Sequence, residues 1–206
     1  MRVYNLYQGG FASCCYYVTD DAERFAVVVD PSVSPANLPP AARKLGAKLV
    51  AILLTHSHYD HMLALEEWRA GVGIPVMVPR EDARGFSDPV YNVSALMFGT
   101  SAVYPAPERL LDEGDIIRFG DSSLRVLMTP GHTAGGCSYY GGGVLFSGDT
   151  LFADGQIGRQ DLSGGSDTAI ALSVKRMLSL PPTTVIYPGH GRSTTVAAEQ
   201  THFGFY

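Results

Sequence analysis

Charge is thin along this chain. Charged residues make up 17% of its 206 positions, against about 25% in a typical soluble domain, so long solvated charge runs are absent. What charge there is leans acidic, with 15 Lys and Arg against 20 Asp and Glu. The net charge of −5 works against a nucleic-acid groove, which needs a basic stripe to neutralise phosphates. Long apolar runs are missing too: none approaches the roughly 18 residues that a membrane-spanning helix requires. The residues Met1-Arg2-Val3-Tyr4-Asn5 do not read as an apolar signal core, so no secretory use of the Asn92-Val93-Ser94 acceptor tripeptide is expected. Cysteine is scarce and odd in number. Cys14, Cys15 and Cys137 make no disulfide framework, and the expected setting is a reducing cytoplasm with all three thiols as small buried residues.

What is present suits one packed unit. Apolar residues reach 46%, and the length fits a single domain over residues 1–206 with a sizeable core. Residues 3–7, 13–18 and 25–29 read as short strands, split by Gly9-Gly10 and by Thr19-Asp20-Asp21. Pro39-Pro40 opens a helix through residues 41–45, with Gly46 closing it. Residues 49–54 read as a buried strand, 63–70 as a helix stopping at Gly71, and 76–78 as another strand. Residues 80–109 are irregular, with Pro89, Pro105 and Pro107 among aromatic residues, and read either as a lid over a site or as loops capping the core. Further strands are expected at 124–128, 144–146 and 184–187, with a helix at 167–178 whose Lys175 and Arg176 form a solvated face.

Four of these strands share a feature. The run at 49–54 leads into Thr55-His56-Ser57-His58-Tyr59-Asp60-His61, and 124–128 into Thr129-Pro130-Gly131-His132. The run at 144–146 ends in Ser147-Gly148-Asp149, and 184–187 in Pro188-Gly189-His190. Strands that run the same way gather their loops at one carboxyl edge, where α/β sheets bind ligands. Of six histidines, only His202 stands outside these ends. A lone His there is more often a hydrogen-bonded core or surface residue than a ligand. Five together, with Asp60 and Asp149, point to metal. His56 and His58 lie two apart, so an extended backbone aims both to one side. Asp60 and His61 follow on a turn and face a second point, which makes residues 55–61 half of a two-metal site. Residues 39–58 and 167–190 also share a helix–strand–His layout, as a two-halved sandwich would produce.

Nitrogen and carboxylate donors without thiolate suit zinc first, and also iron or manganese. Zinc lowers the pKa of a bound water to about 7. The expected chemistry is therefore hydrolysis, in which a hydroxide shared by two divalent cations attacks a carbonyl carbon and Asp60 orients the nucleophile. A thioester suits such a site, because a thiolate leaves without a strong acid. Asp30, at the end of its strand, is expected either to orient a ligand imidazole or to cap the turn before Pro31.

The motifs His-x-His-x-Asp-His, Thr-Pro-Gly-His-Thr, Gly-Asp-Thr-Leu-Phe and Pro-Gly-His-Gly, in this order and spanning nearly the whole chain, resemble the metallo-β-lactamase-fold hydrolases. The run from Gly148 to Phe152, followed by Gly158 to Gly165, looks like the glyoxalase II-like branch. The resemblance implies an αββα sandwich with two mixed sheets and the metals at one edge. It implies that His56, His58 and His132 hold the first metal, that Asp60, His61 and His190 hold the second, and that Asp149 bridges them. Arg159 stands where glyoxalase II places a basic residue on a glutathione carboxylate, and pairing with Asp161 or solvent is the simpler alternative.

The sequence departs from that branch in several places. Asp161 replaces an aromatic residue, and Met62-Leu63-Ala64-Leu65 follows the His motif where a Gly is common. The sequence reads Thr201 to Tyr206 where relatives often show Asn-Pro-Phe/Tyr, and the expectation is a single domain without the helical glutathione-binding domain of glyoxalase II. The leading expectation is a binuclear hydrolase of small thioesters such as hydroxyacyl-glutathione. A mononuclear-iron persulfide dioxygenase is the nearest alternative, with Gln156-Ile157 where that family usually has a Cys, followed by lactone or phosphoester hydrolysis on the same fold. A nuclease is disfavoured by the acidic charge. A non-catalytic module would be expected to have lost ligands, whereas all seven positions are filled. A flavin-linked diiron electron carrier would show Glu rather than His58 and a flavin domain. The expected partner is a small-molecule substrate, with neither nucleic acid nor membrane.

Overall fold

A computed structural model describes residues 1–7, 10–70 and 73–204. The expected turn at Gly9 and the helix stop at Gly71 fall outside the described residues. Two six-stranded sheets carry the architecture. The first contains β1 (Arg2–Asn5), β2 (Tyr16–Thr19), β3 (Phe25–Val29), β4 (Lys48–Leu53), β5 (Val76–Pro79) and β6 (Arg109–Leu111), side by side in chain order. The second contains β7 (Ile116–Phe119), β8 (Ser122–Met128), β9 (Cys137–Gly141), β10 (Val144–Gly148), β11 (Val185–Pro188) and β12 (Thr194–Thr195), again in order. Both are mixed. The pairs β3·β4, β4·β5, β5·β6 and β10·β11 are parallel and the other neighbours antiparallel.

Three apolar layers explain why the sheets stack. Along β3, Val27 and Val29 face the second sheet, where Val126, Tyr139 and Phe146 meet them. The alternate residues Ala26 and Val28 face outward, onto Ala42 of α1 (Pro40–Leu45) and Leu65 and Trp68 of α2 (Leu65–Arg69). The second sheet repeats the pattern: Leu127, Leu145 and Ile186 pack on α4 (Asp167–Leu178) and α5 (Val196–His202). With both faces of β3 and β4 covered, these strands are nearly continuous apolar runs rather than alternating ones. The result is the αββα sandwich with two mixed sheets.

The helix–strand–His echo is real at the level of structure. α1 connects the parallel pair β3·β4, which leads to His56, and α4 connects the parallel pair β10·β11, which leads to His190. The four expected strands do not lie in one sheet, however. β4 belongs to the first, and β8, β10 and β11 to the second. Their ends still meet, because the two sheets are stacked with those ends at the same edge.

Other details differ from expectation. β2 begins at Tyr16, since the backbone of residues 13–14 pairs instead with the loops of the other strands: Ser13 N donates to Asp60 O (3.2 Å) and Cys14 N to Gly189 O (2.6 Å). Residues 80–109 hold 3₁₀ turns at Arg80–Phe86 and a short helix, α3 (Ser94–Met97), with irregular chain between. Asn92 is buried and its amide donates to Gly85 O and Ala102 O, so it is no glycan acceptor. The three cysteines are free and buried, and burial pushes the Cys15 thiol up to about 12. No helix among the described residues is long and apolar enough to cross a membrane.

Candidate metal centre

All seven expected donors arrive in one place. His56, His58 and His132 form one triad whose donor atoms lie within 4.8 Å of one another, and Asp60, His61 and His190 form a second. The triads abut. The rings of His56 and His61 are 4.1 Å apart between centroids, and within the first triad His132 Nε2 lies 2.9 Å from His58 Nδ1. Asp149 sits between them: its Oδ1 is 3.3 Å from His61 Nε2, and its Oδ2 is 3.5 Å from both His132 Nε2 and His190 Nε2. Asp60 Oδ2 is 3.1 Å from His190 Nε2.

Two of the imidazoles, His56 and His132, are aimed by hydrogen bonds from behind. Asp30, the last residue of its strand end, has φ +52° and is buried, a conformation that a short polar side chain tolerates best after glycine. Its carboxylate accepts from Thr55 N and Thr55 Oγ1, both at 2.8 Å. Thr55 Oγ1 in turn lies 3.1 Å from His56 Nδ1, leaving His56 Nε2 for the centre. His61 Nδ1 is 3.0 Å from Asp30 Oδ2, though not aligned for a hydrogen bond. His132 Nδ1 donates to Arg159 O (2.8 Å), which fixes the tautomer that turns Nε2 inward,. Two tyrosines pin the strand ends across the sheets. Tyr16 Oη donates to Pro188 O and Tyr139 Oη to Leu54 O, each at 2.6 Å.

Two glycines are required by close approach. A Cβ on Gly189 would fall 2.0 Å from Asp149 Oδ1, and one on Gly158 would fall 1.8 Å from Asp149 O and 3.0 Å from His132 Nδ1. The motif glycines therefore admit the ligands rather than merely bend the chain.

The electrostatics separate the ligands. Burial, reinforced by the neighbouring imidazoles, holds His56 well below its ordinary value. Burial and His132 push His58 down to about 3, so both are neutral donors at neutral pH. Burial works against a charged His61, but Asp149, Asp30 and Asp60 outweigh it and raise the group well above the usual range. Burial likewise opposes ionisation of Asp149 and Asp60, and the imidazoles overcome it, keeping both below the carboxylate range.

The donors also pass a test for fit. His56 Nε2, His61 Nε2 and Asp149 Oδ1 are buried and have no hydrogen-bond partner. Each such orphan costs about 1–3 kcal/mol, and three gathered at one point call for a shared partner. Divalent cations would give these atoms the partners that the chain itself does not supply. The nitrogen–oxygen set suits zinc, iron or manganese.

Asp82 was not singled out by the sequence, although it organises the loops behind the ligands. Fully buried, it accepts from Ser57 N (2.9 Å), Thr133 Oγ1 (3.0 Å), Gly135 N (2.9 Å) and Tyr91 Oη (2.9 Å). Ser57 lies between His56 and His58, and Thr133 follows His132, so one carboxylate ties together the two loops of the first triad. Burial pushes its pKa up in spite of the four donors. Arg159, expected on a substrate carboxylate, makes a bidentate pair with Asp161 at 2.7 and 2.6 Å while remaining at the cleft wall.

A four-layer sandwich with such a donor cluster at its strand edge defines a class of metal-binding folds, and comparison with known proteins places the chain within it. Residues 9–190 match the model of the metallo-beta-lactamase superfamily, and the chain belongs to that superfamily. It is 33% identical over 192 residues to the probable metallo-hydrolase YqgX of Bacillus subtilis, covering 92% of this chain and 89% of the other. Among solved structures, the BLEG-1 B3 metallo-beta-lactamase superposes with a TM-score of 0.89 at 33% identity, covering 98% of this chain and 97% of that one. TTHA1623 in a di-iron-bound form superposes with a TM-score of 0.82 at 34% identity, covering 97% of each chain.

Proposed function

We propose that this protein is a binuclear metal-dependent hydrolase of the glyoxalase II-like kind, cleaving a thioester. His56, His58 and His132 would hold one cation, Asp60, His61 and His190 the other, with Asp149 between. The observation that carries the reading is the pair of complete triads flanking one carboxylate. Bound there, divalent cations supply a water of lowered pKa and a Lewis acid for a carbonyl oxygen.

The protein's own groups do the rest. Asp60 is ionised and bonded to His190, and it stands at the cleft floor, where it orients an incoming water and accepts its proton,. Thr55 and Arg159 O hold His56 and His132 in the tautomers that face inward. His190, with its side chain 39% exposed, lies at the mouth where a substrate enters. A thiolate leaves without a strong acid, which suits a cleft whose acidic and basic side chains are candidate metal ligands or paired in ion pairs. The likeness to YqgX, a probable metallo-hydrolase, supports hydrolysis, and the di-iron form of TTHA1623 supports a two-metal centre while keeping iron beside zinc as the occupant. A complete second triad favours this reading over single-iron oxygen chemistry.

The test is a panel of thioesters, lactones, phosphodiesters and persulfides on protein whose zinc, iron and manganese have been quantified. Thioester turnover without oxygen uptake, lost in Asp60→Asn, is the expected result. Oxygen uptake on glutathione persulfide by protein holding one iron would overturn it.

A further inference from the structure

The cleft over the donor cluster has two lobes, and their lining bears on what the substrate carries. One lobe, about 590 Å³, is walled by Gln156, Arg192 and Asp154 beside Phe152. The other, about 320 Å³, is walled by Phe11, Val93, Met97, Phe98 and Leu162. His132, Asp149, Arg159 and His190 line both, so a molecule with its reacting bond over Asp149 has one arm in each lobe.

The wall of the second lobe away from the donors is made of apolar side chains, two of them well exposed. Phe11 is 85% exposed and Met97 54%, and large apolar groups gathered at one exposed place mark a binding surface. The wall is also ordered. The Phe98 ring meets Phe11 edge-on at 6.4 Å and Tyr59 at 5.2 Å between centroids. Tyr59 precedes Asp60, so the wall and a candidate ligand share one turn. Apart from the seven candidate ligands, the only polar side chain lining this lobe among the described residues is Arg159, which is turned onto Asp161. An acyl chain reaching past the donors along this wall meets apolar side chains, and a polar tail would gain no hydrogen bond from them,.

We infer that this lobe, built by Met97 and Phe98 on the α3 segment with Phe11 opposite, selects a thioester whose acyl group is apolar and several carbons long, rather than a small hydroxyacyl group. The inference rests on the hydrolase reading, and two parallel measurements separate them. In the first, kcat/KM of the metal-loaded enzyme is measured on acetyl, butyryl, hexanoyl and 2-hydroxyacyl thioesters of one thiol. In the second, calorimetry follows binding of the matching straight-chain carboxylates.

Both series should strengthen by about two- to fourfold per methylene, the range set by partial to full burial of a CH₂. In Met97→Ala and Phe98→Ala, checked for an unchanged thermal midpoint, the hexanoyl-to-acetyl ratio should fall about tenfold, and Phe98→Leu should restore much of it. A series that is flat with length, a preference for the 2-hydroxyacyl ester over its unsubstituted equivalent, or an unchanged ratio in both alanine variants would overturn the inference. Carboxylate binding that tightens with length, without turnover of any thioester, would uphold the lobe and overturn the hydrolase reading.

Discussion

Replacing Asp82 by Asn removes one charge and almost no volume, yet it must break a hydrogen bond that nothing else can make. The carboxylate satisfies four donors, two on each oxygen: Gly135 N and Tyr91 Oη on Oδ1, Ser57 N and Thr133 Oγ1 on Oδ2. An amide keeps one oxygen, so its NH₂ must face the other pair. Each pair contains a hydroxyl, which can rotate to accept, and a backbone N–H, which cannot. Whichever way the amide turns, one buried N–H is orphaned, at a cost of about 1–3 kcal/mol. For a chain of this size that lowers the thermal midpoint by roughly 2–10 °C. The orphan lies in a loop of the first triad, beside His56 and His58 or beside His132. Metal affinity should therefore fall by about 10–100-fold, as when an outer partner of a ligand is lost. Thermal unfolding of metal-free protein reads the first effect, and competition against a chromophoric chelator reads the second. An Asp82→Asn protein with unchanged midpoint and unchanged affinity would refute the reasoning.

Gly189→Ala puts a Cβ 2.0 Å from Asp149 Oδ1 and 2.8 Å from His61 Cε1, so metal content and turnover should both drop at least about tenfold while the far sheet contacts persist; metal analysis of the purified variant decides. Metal-free protein should lose stability as pH falls from 6.5 toward 4. His56 and His58 are held below 6.5 in the fold, so the unfolded chain takes up those protons first,. The raised groups His61 and His190 act with the opposite sign and only above 6.5. Denaturant midpoints across that range that stay level would contradict the burial of those two rings.

Parts of this molecule are written locally and parts are not. β3 is legible because Val27, Val28 and Val29 are covered on both faces and Asp30-Pro31 stops them. α4 is legible because Ser166 caps it, accepting from Ala169 N at 3.3 Å. The strands β6, β7 and β9 carry no such local mark. β9 is Cys137-Ser138-Tyr139-Tyr140-Gly141 between glycine pairs, a composition that reads as loop, and only pairing with β8 and β10 makes it a strand,. α5 is signalled by Thr195 accepting from Ala198 N, a cap easily passed over so close to the chain end. The seven donors were legible because each sits on its own glycine-marked or clustered motif. Asp82 was not, because its four partners come from residues 57, 91, 133 and 135, and nothing beside it in the chain announces them.

Metal stoichiometry tests the central claim most directly. Protein loaded with zinc or ferrous iron, freed of excess and analysed by mass spectrometry should carry two ions per chain. A His58→Ala variant should carry about one, and Asp149→Ala should retain neither tightly. A chain that takes up no metal, or that keeps its full complement in both variants, would contradict the assignment of these seven side chains to a two-metal centre.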